Sequence, residues 1–243
     1  MKLRCCGTGS NGNCYSLISD TGEILLLECG VSNWNKILRM INYRITDVSG
    51  CILTHIHSDH SKNVETVQWS GIRVFTNKET AEILSGKLTI SSPEGKTVQI
   101  GNFKAVPFYV EHDGTPNYAF LIKHPECGTM LYATDFMYLN KYSFKNMRIN
   151  HFLIECNHLD ETPEQDSFKF EHSVRGHSSL STVKEIIRVN KTASLRTITL
   201  CHLSEDWGDP DRMQKEIQEV AGKDVLVQIA RVGLEVSLNL CPF

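Results

Sequence analysis

The segment Cys51-Ile52-Leu53-Thr54-His55-Ile56-His57-Ser58-Asp59-His60 joins a short apolar run to three histidines and an aspartate. The apolar run predicts a buried β-strand. His55 and His57 are two residues apart, so on an extended segment their side chains point to the same side. Asp59 and His60 follow in the turn before the next predicted helix. This cluster of imidazole and carboxylate groups at a strand end predicts a metal site.

Three further apolar runs along the chain end in His112, Asp135 and His202. Because α/β sheets place ligand sites just beyond the ends of their strands, we expect all seven side chains to converge. Seven ligands exceed the four of one tetrahedral zinc site. The sequence therefore predicts two divalent ions with a shared carboxylate, and the ligand types suit zinc, manganese or iron. His124, His151 and His172 have no such company, and we expect them to be structural or surface residues.

Apolar runs bounded by Gly, Asn, Asp or Pro predict strands along the whole chain. These runs are Ile24–Leu27, Cys51–Thr54, Arg73–Phe75, Lys104–Val110, Tyr118–Ile122, Met130–Ala133, His151–Ile154, Thr197–Cys201, Val225–Ile229 and Leu234–Leu238. The last two, joined around Val232 and Gly233, are predicted to form a hairpin.

Helical spacing of apolar residues predicts helices between these strands. They fall at Trp34–Ile41, Val64–Val67, Ala81–Leu84 and Val183–Val189, and after Asp209-Pro210, where an N-cap residue precedes a proline. The pattern predicts two packed sheets with helices outside, a four-layer α/β sandwich, as one domain over residues 1–243.

The composition is that of a globular protein, with 41% hydrophobic and 22% charged residues. The net charge of −3 lacks the basic excess expected of a protein that wraps nucleic acid. The nine cysteines form no Cys-x-x-Cys pair, and we expect them to be buried and reduced. No secretory signal or membrane-spanning run is visible, so we expect a soluble, cytoplasmic protein. The sequence does not indicate an oligomeric state.

The motif His55-x-His57-x-Asp59-His60, followed by His112, Asp135 and His202, resembles the metallo-β-lactamase superfamily. The resemblance spans about residues 25–203 and implies an αβ/βα sandwich with a dinuclear metal site between the sheets. It implies that His55, His57 and His112 hold one ion. Asp59, His60 and His202 would hold the other, with Asp135 bridging the two ions.

Further segments look like the YycJ/WalJ branch of this superfamily, which is linked with DNA 5′-to-3′ exonuclease activity. They lie at residues 7–14, 134–135, 153–158, 176–181 and 202–205. Two positions depart from the superfamily pattern: Glu28 stands where Asp is usual, and Asn63 stands where Gly is usual. Glu28 and His158 are candidates for residues that support the ligands.

The resemblance implies hydrolysis by a hydroxide that bridges two ions about 3.5–4 Å apart. Asp59 would bind metal and orient this hydroxide. His177, before the predicted helix at Val183, is a candidate to stabilise or protonate the leaving oxygen, or else a capping-loop histidine without chemistry. The loop Gly7–Asn13 fits a phosphate cradle or a turn, and Asn11-Gly12 favours the turn. Basic residues later in the chain either line a nucleic-acid groove or form a solvated helix face, which is the commoner case: Arg175, Lys184, Arg188 and Lys191.

The most direct interpretation is a metal-dependent phosphodiesterase that acts on nucleic acid. Alternatives on the same scaffold are a cyclic phosphodiesterase and a thioester or lactone hydrolase. A metal-binding regulatory protein without turnover is the non-enzymatic alternative, but such proteins typically lose ligands, and all seven are present here.

Overall fold

The computed structural model describes residues 1–139, 143–161 and 175–240. Within them, two seven-stranded sheets account for all the named strands. The first sheet has the order β14-β1-β2-β3-β4-β5-β6. Its strands are β1 (Lys2–Gly7), β2 (Cys14–Ile18), β3 (Ile24–Leu27), β4 (Val48–Ile52), β5 (Val74–Thr76), β6 (Thr89–Ser91) and β14 (Glu235–Ser237).

The second sheet has the order β13-β12-β11-β10-β9-β8-β7. Its strands are β7 (Val98–Ile100), β8 (Phe103–Val110), β9 (Asn117–His124), β10 (Gly128–Ala133), β11 (His151–Glu155), β12 (Thr197–Cys201) and β13 (Leu226–Ile229). The strands β10 to β13 run parallel to one another. Their carboxyl ends therefore meet at one edge of the sheet, as do those of the parallel strands β3 and β4 in the first sheet.

Six helices are named in the described residues: α1 (Trp34–Met40), α2 (Ser58–Ser61), α3 (Val64–Trp69), α4 (Lys78–Leu84), α5 (Leu180–Asn190) and α6 (Pro210–Ala221). Two helices near the end of the chain have side-chain caps, and the one at Asp209 confirms the prediction. Ser179 accepts a hydrogen bond from the Thr182 amide at the start of α5, and Asp209 accepts one from the Arg212 amide at the start of α6.

The hydrophobic residues form three clusters, which separate four layers. In β3, Leu25 and Leu27 point into the cluster between the two sheets, whereas Ile24 and Leu26 point into the cluster beneath α1 and α3. A third cluster packs β10, β11 and β12 against α5 and α6. Strands covered on both faces read as continuous apolar runs, which explains why they stood out in the sequence. The predicted four-layer α/β sandwich is confirmed.

The predicted hairpin at the end of the chain is wrong. Strand β13 pairs in parallel with β12 in the second sheet, whereas β14 pairs antiparallel with β1 in the first. The turn between them crosses from one sheet to the other, because Gly233 and Leu234 exchange backbone hydrogen bonds with Cys5 of β1. Two adjacent apolar runs with a glycine between them look the same in sequence whether they pair or separate.

The eight cysteines in the described ranges are all buried free thiols, as expected. No helix among the described residues is both long and apolar enough to cross a membrane.

Candidate metal centre

The first group of candidate ligands consists of His55, His57 and His112. Their ring nitrogens lie within 4.8 Å of one another, and His112 Nε2 is 3.2 Å from His57 Nδ1. His55 follows β4 and His112 follows β8, so two different sheets supply the group. On the far side of its ring, His112 Nδ1 is 2.6 Å from the carbonyl oxygen of Gly176, which fixes the ring and leaves Nε2 facing the other histidines.

The second group consists of Asp59, His60, Asp135 and His202, again with ligand atoms within 4.8 Å of one another. His60 Nε2 lies 3.1 Å from Asp135 Oδ2 and 3.3 Å from Asp59 Oδ2. His202 Nε2 lies 3.5 Å from Asp59 Oδ2 and 3.6 Å from Asp135 Oδ1. Asp135 Oδ1 is also 3.8 Å from His112 Nε2, so this carboxylate stands between the two groups.

Three residues of the site have left-handed backbone conformations at strand ends. Glu28 (φ 63°) follows β3, Asp135 (φ 53°) follows β10, and His202 (φ 51°) follows β12. This conformation is strained for residues other than glycine. It turns the chain sharply beyond the strand.

The donor atoms fit divalent cations. His55 Nε2 is fully buried and has no hydrogen-bond partner among the described residues. Burying an unsatisfied polar nitrogen is costly, and a metal–nitrogen bond removes that cost. The His55 Nδ1 atom is already occupied by Thr54 Oγ1 at 3.0 Å. Together with the carboxylates of Asp59 and Asp135, these nitrogens form the donor set that zinc, manganese and iron accept.

The first group is held neutral. Burial lowers the pKa of His55 well below its ordinary value, with a further decrease from His60. Burial also lowers the pKa values of His57 and His112. Neutral imidazole is the form that binds metals, so this group is ready for a cation without losing protons.

In the second group, the carboxylates favour the protonated form of the histidines. Burial opposes the protonation of His202, but Asp135, Asp59 and Glu155 outweigh it and raise its pKa to about 10. Asp135 and Asp59 raise the pKa of His60 well above its ordinary value in the same way. The carboxyl pKa of Asp135 is lowered in return, chiefly by His202 and His60 against the effect of burial. A cation that binds here would displace protons from both histidines.

Glu155 is a site residue that the sequence analysis did not identify. It ends β11, is fully buried, and forms a third group with Asp135, His177 and His202. Glu155 Oε1 is 2.7 Å from His177 Nδ1 and 3.1 Å from His202 Nδ1. Burial would raise the carboxyl pKa of Glu155, but His177 and His202 lower it to about 2. The signal was present, because Glu155 ends an apolar run as Asp135 and His202 do.

His177 lies in the loop before α5 and beside the ligand groups. Its ring stacks on that of His202 with the centroids 5.1 Å apart. The pKa of His177 is raised: burial lowers it, but the charge and hydrogen bond of Glu155 have the larger combined effect. The next residue, Ser178, donates its amide to Glu155 Oε2 at 2.9 Å, so the same carboxylate orients both the histidine and its loop.

Glu28 and His158, the two candidates for supporting residues, have different surroundings. Glu28 is fully buried, accepts hydrogen bonds from the Thr54 amide (3.2 Å) and the Tyr132 hydroxyl (3.0 Å), and lies 3.5 Å from His60 Nδ1. His158 is also buried, but its contact with α5 is through its backbone carbonyl, which accepts from the Leu180 amide. Glu28 therefore lies beside a candidate ligand, whereas the His158 backbone contacts the start of a helix.

The loop between β1 and β2 is a turn whose side chains contact the site. Asn13 Nδ2 lies 3.1 Å from His60 Nε2 and 3.4 Å from Asp59 Oδ2, and its Oδ1 accepts from the Gly9 amide at 2.9 Å. Thr8 Oγ1 accepts a hydrogen bond from the His202 amide at 2.9 Å. The loop thus contacts the second group at His60 Nε2 and Asp59 Oδ2 through Asn13, and at the His202 backbone through Thr8.

Asn63 replaces the usual glycine without disturbing the site. Its Nδ2 donates to the carbonyls of Cys29 (2.9 Å) and Val31 (2.6 Å), and so ties the start of α3 to the segment after β3. Gly30 in that segment has a stricter requirement, because a Cβ there would overlap the Asp59 carbonyl.

The basic residues of α5 are paired with protein groups. Lys184 binds Glu216 at 2.6 Å, Arg188 binds Glu185, and Lys191 donates to the Val220 carbonyl at 2.8 Å. These contacts fit the solvated helix face rather than a nucleic-acid groove. His124 and His151 are buried away from the ligand groups, as expected, and His172 lies outside the described residues.

Two cavities of the protein differ in where they lie relative to the site. One of about 310 Å³ lies against the site, between the loop Thr8–Asn11 and the segment Leu203–Trp207, with His177 in its wall. The larger, of about 560 Å³, lies between α1 and the turn before β14 and is lined by none of the candidate ligands. The described lining of the smaller cavity also contains no candidate ligand, but it includes His177, whose ring stacks on that of His202.

Comparisons with known proteins agree with this geometry. A family model described as "Anti-Pycsar protein Apyc1" matches residues 1–91. Exodeoxyribonuclease WalJ of Streptococcus pneumoniae is 25% identical over 256 aligned residues, which cover 98% of this chain and 91% of WalJ.

Solved structures with the same fold align with almost the whole chain. The metallo-β-lactamase fold protein YhfI from Bacillus subtilis matches with a TM-score of 0.75 and 21% identity, covering 97% of this chain and 98% of YhfI. A diphosphatase from the PhnP family matches with a TM-score of 0.65 and 15% identity, covering 99% and 98%. The chain has the metallo-β-lactamase fold, and its sequence is similar to that of WalJ.

Proposed function

We propose that this chain is a metal-dependent phosphodiesterase that acts on nucleic acid, with 5′-to-3′ DNA exonuclease activity. The observation that carries the proposal is the position of His177. Its Nδ1 is bound to the buried Glu155, and it also lies 3.6 Å from Asp135 Oδ1. A proton donor therefore stands beside the groups that would hold divalent cations, a combination that suits the departure of a sugar oxygen from phosphorus. The similarity to WalJ supports DNA as the substrate.

In this proposal, His55, His57 and His112 hold one ion, and Asp59, His60 and His202 hold the other, with Asp135 shared. Zinc, manganese and iron all suit this donor set. When bound, two such ions supply positive charge for the phosphoryl oxygens and lower the pKa of a water molecule. This local charge allows a protein of net charge −3 to act on a polyanion.

Asp59 and His177 are the two residues that contact the reacting groups. Asp59 is only partly exposed, and its Oδ2 is directed at His60 and His202. Its other carboxylate oxygen accepts a hydrogen bond from the attacking water and orients it. Glu155 accepts the hydrogen bond from Nδ1–H of His177 and stabilises the doubly protonated ring, which donates its second proton, on Nε2, to the leaving sugar oxygen. Glu28 acts indirectly, through the orientation of His60.

The cellular setting is part of the proposal. We place the protein in the cytoplasm, where the eight described cysteines would remain the free thiols that they are in the structure.

The test is nuclease activity on end-labelled single- and double-stranded DNA, with protein loaded with manganese or zinc. We expect metal-dependent shortening from the 5′ end. Asp59→Ala should lose both metal and activity, whereas His177→Ala should keep its metal and lose turnover. Glu219→Gln, an exposed carboxylate on α6, is the control and should behave as wild type.

DNA that stays intact with both ions bound would reject the exonuclease proposal. RNA, cyclic phosphodiesters and thioesters would then be assayed with the same variants. Full activity in His177→Ala would remove His177 from the mechanism.

A further inference from the structure

The cavity of about 310 Å³ begins where the ligand groups end. One wall is the loop Thr8–Asn11 and another is the segment Leu203–Trp207, and His177 and Asn157 complete the lining. Asn157 donates to the His202 carbonyl at 2.9 Å, and His177 stacks on the His202 ring. A substrate whose phosphorus lies at the ligand groups would therefore place a neighbouring group in this cavity.

The described part of the cavity lining carries acidic groups. Besides His177, the charged side chains among the described lining residues are Glu205 and Asp206. The Glu205 carboxylate repels a phosphate group and favours groups that donate hydrogen bonds. The volume is at the low end for small-molecule sites, so the cavity suits one small group rather than a duplex.

Glu205 and Trp207 supply the features that recognise a nucleobase. Glu205 Oε1 accepts a hydrogen bond from Asn11 Nδ2 at 3.2 Å, so it is held at the point where the two walls approach. Trp207 lines the cavity and is fixed through its backbone, which donates to Ser204 Oγ at 3.2 Å and accepts from the Leu159 amide at 3.0 Å. Carboxylates accept hydrogen bonds from base amino groups, and aromatic side chains stack on bases.

We infer that this cavity binds the base of one unpaired terminal nucleotide, with Trp207 as the stacking surface and Glu205 as the acceptor for an exocyclic amino group. The inference rests on the proposed function, because it names the part of the substrate that lies beside the scissile phosphate. It gives the site a preference for bases that carry an amino group, such as cytosine, over thymine and uracil. It also requires that the end of a duplex open before cleavage.

Calorimetric titration of manganese-loaded protein with dCMP and dUMP tests the inference. These two nucleotides differ at C4, which carries an amino or an oxo group, and at N3, which is an acceptor in cytosine and carries a proton in uracil. We expect dCMP to bind about tenfold more tightly to the wild type, as one charge-assisted hydrogen bond allows. Glu205→Gln should bring the ratio close to one, because an amide can also donate to the oxo group. Trp207→Leu should weaken both nucleotides about tenfold and preserve their ratio.

Glu219→Gln on α6 is the matched control and should keep the wild-type ratio. Equal affinity of the wild type for both nucleotides, or a ratio that Glu205→Gln leaves unchanged, would overturn the inference. Glu205 is exposed, so its substitution tests binding without removing core packing.

A phosphodiester without a nucleobase separates this inference from the proposed function. If wild type and Glu205→Gln hydrolyse bis(4-nitrophenyl) phosphate equally and the dCMP preference depends on Glu205, both stand. Hydrolysis without any base preference overturns the base pocket alone. A Glu205-dependent preference for dCMP in a protein that hydrolyses neither this ester nor DNA supports the pocket and rejects the phosphodiesterase.

Discussion

Replacement of Glu155 by glutamine should lower the affinity for the second metal ion and leave the affinity for the first unchanged. Glu155 Oε2 accepts from the amides of Ser178 (2.9 Å) and Phe136 (3.4 Å), and Oε1 faces Nδ1 of both His177 and His202. Glutamine has the same shape but only one acceptor oxygen. Because the backbone amides are fixed donors, that oxygen must face them, and the new NH₂ group then points at the two histidines.

The consequence for His202 follows from its tautomer. With an NH₂ group as neighbour, Nδ1 becomes the acceptor, and the proton of the neutral ring moves to Nε2, the atom that faces Asp59 and Asp135. A ring protonated at Nε2 cannot bind metal through that atom. Loss of a carboxylate partner behind a ligating histidine typically costs about 10–100-fold in metal affinity. We expect a decrease of this size for the second ion, with the first ion at His55, His57 and His112 unaffected.

His177 should lose its role as an acid in the same variant. Its Nδ1 also becomes an acceptor, so the charged form of the ring is no longer stabilised. General acid catalysis typically contributes about 10²–10⁴-fold, so turnover at saturating metal should fall by about 10²-fold, or about 2.7 kcal/mol in activation free energy.

Chelator competition and metal analysis of the dialysed protein measure the two affinities, and turnover is measured separately at saturating metal. Glu23→Gln is the matched control, because Glu23 is a mostly buried carboxylate that accepts from Ser49 Oγ (2.6 Å) and the Asn102 amide (2.9 Å) and contacts no candidate ligand. Wild-type affinity for the second ion in Glu155→Gln would refute the tautomer argument. Wild-type turnover would refute the role of Glu155 in proton donation.

Three further substitutions test the surroundings of the site. Gly30→Ala should lower the free energy of unfolding by about 1–3 kcal/mol, measured with denaturant, because its Cβ displaces the Asp59 backbone; an unchanged value would show that the segment shifts freely. Asn13→Ala should weaken the second ion about tenfold in chelator competition, because Asn13 Nδ2 lies 3.4 Å from both the backbone carbonyl oxygen and Oδ2 of Asp59 and so orients this ligand; equal weakening of both ions would contradict this local role. His151→Gln tests a buried histidine whose pKa falls from 6.5 to about 4 through burial. Between pH 6.5 and 4, the His151 side chain binds a proton in the unfolded chain but not in the folded chain. The free energy of unfolding of the wild type should therefore fall by up to about 3 kcal/mol as the pH drops from 6.5 to 4. At equal metal loading, the free energy of unfolding of the variant should lack this part of the pH dependence. Parallel curves of unfolding free energy against pH for the variant and the wild type would rule out His151 as the source of the effect.

The sequence predicted the candidate ligands because their signal is local. His55, His57, Asp59 and His60 lie within six residues, and the remaining three each follow an apolar run. Parallel strands bring such residues to one edge whatever the length of the intervening chain. The same rule applies to Glu155, which ends the apolar run of β11. It could therefore have been predicted in the same way.

The role of Asn13 could not be predicted in this way. Its amide reaches Asp59 and His60 because β1 and β2 bring the glycine-rich loop against the turn after β4. That contact depends on which strands are neighbours in the first sheet. For the same reason the sequence did not show that β13 and β14 belong to different sheets, since strand neighbours are set by tertiary packing rather than by local pattern.

The residues with strained backbone indicate how the fold keeps the site in position. Left-handed backbone at a residue other than glycine costs roughly 1–2 kcal/mol, and Glu28, Asp135 and His202 each adopt it. Each is held by hydrogen bonds from a different element: Glu28 from the Thr54 amide, Asp135 from Asn117 Nδ2, and His202 from Asn157 Nδ2. The strain is thus offset by backbone and amide contacts that need no cation. The sheets and these hydrogen bonds together orient the candidate ligands.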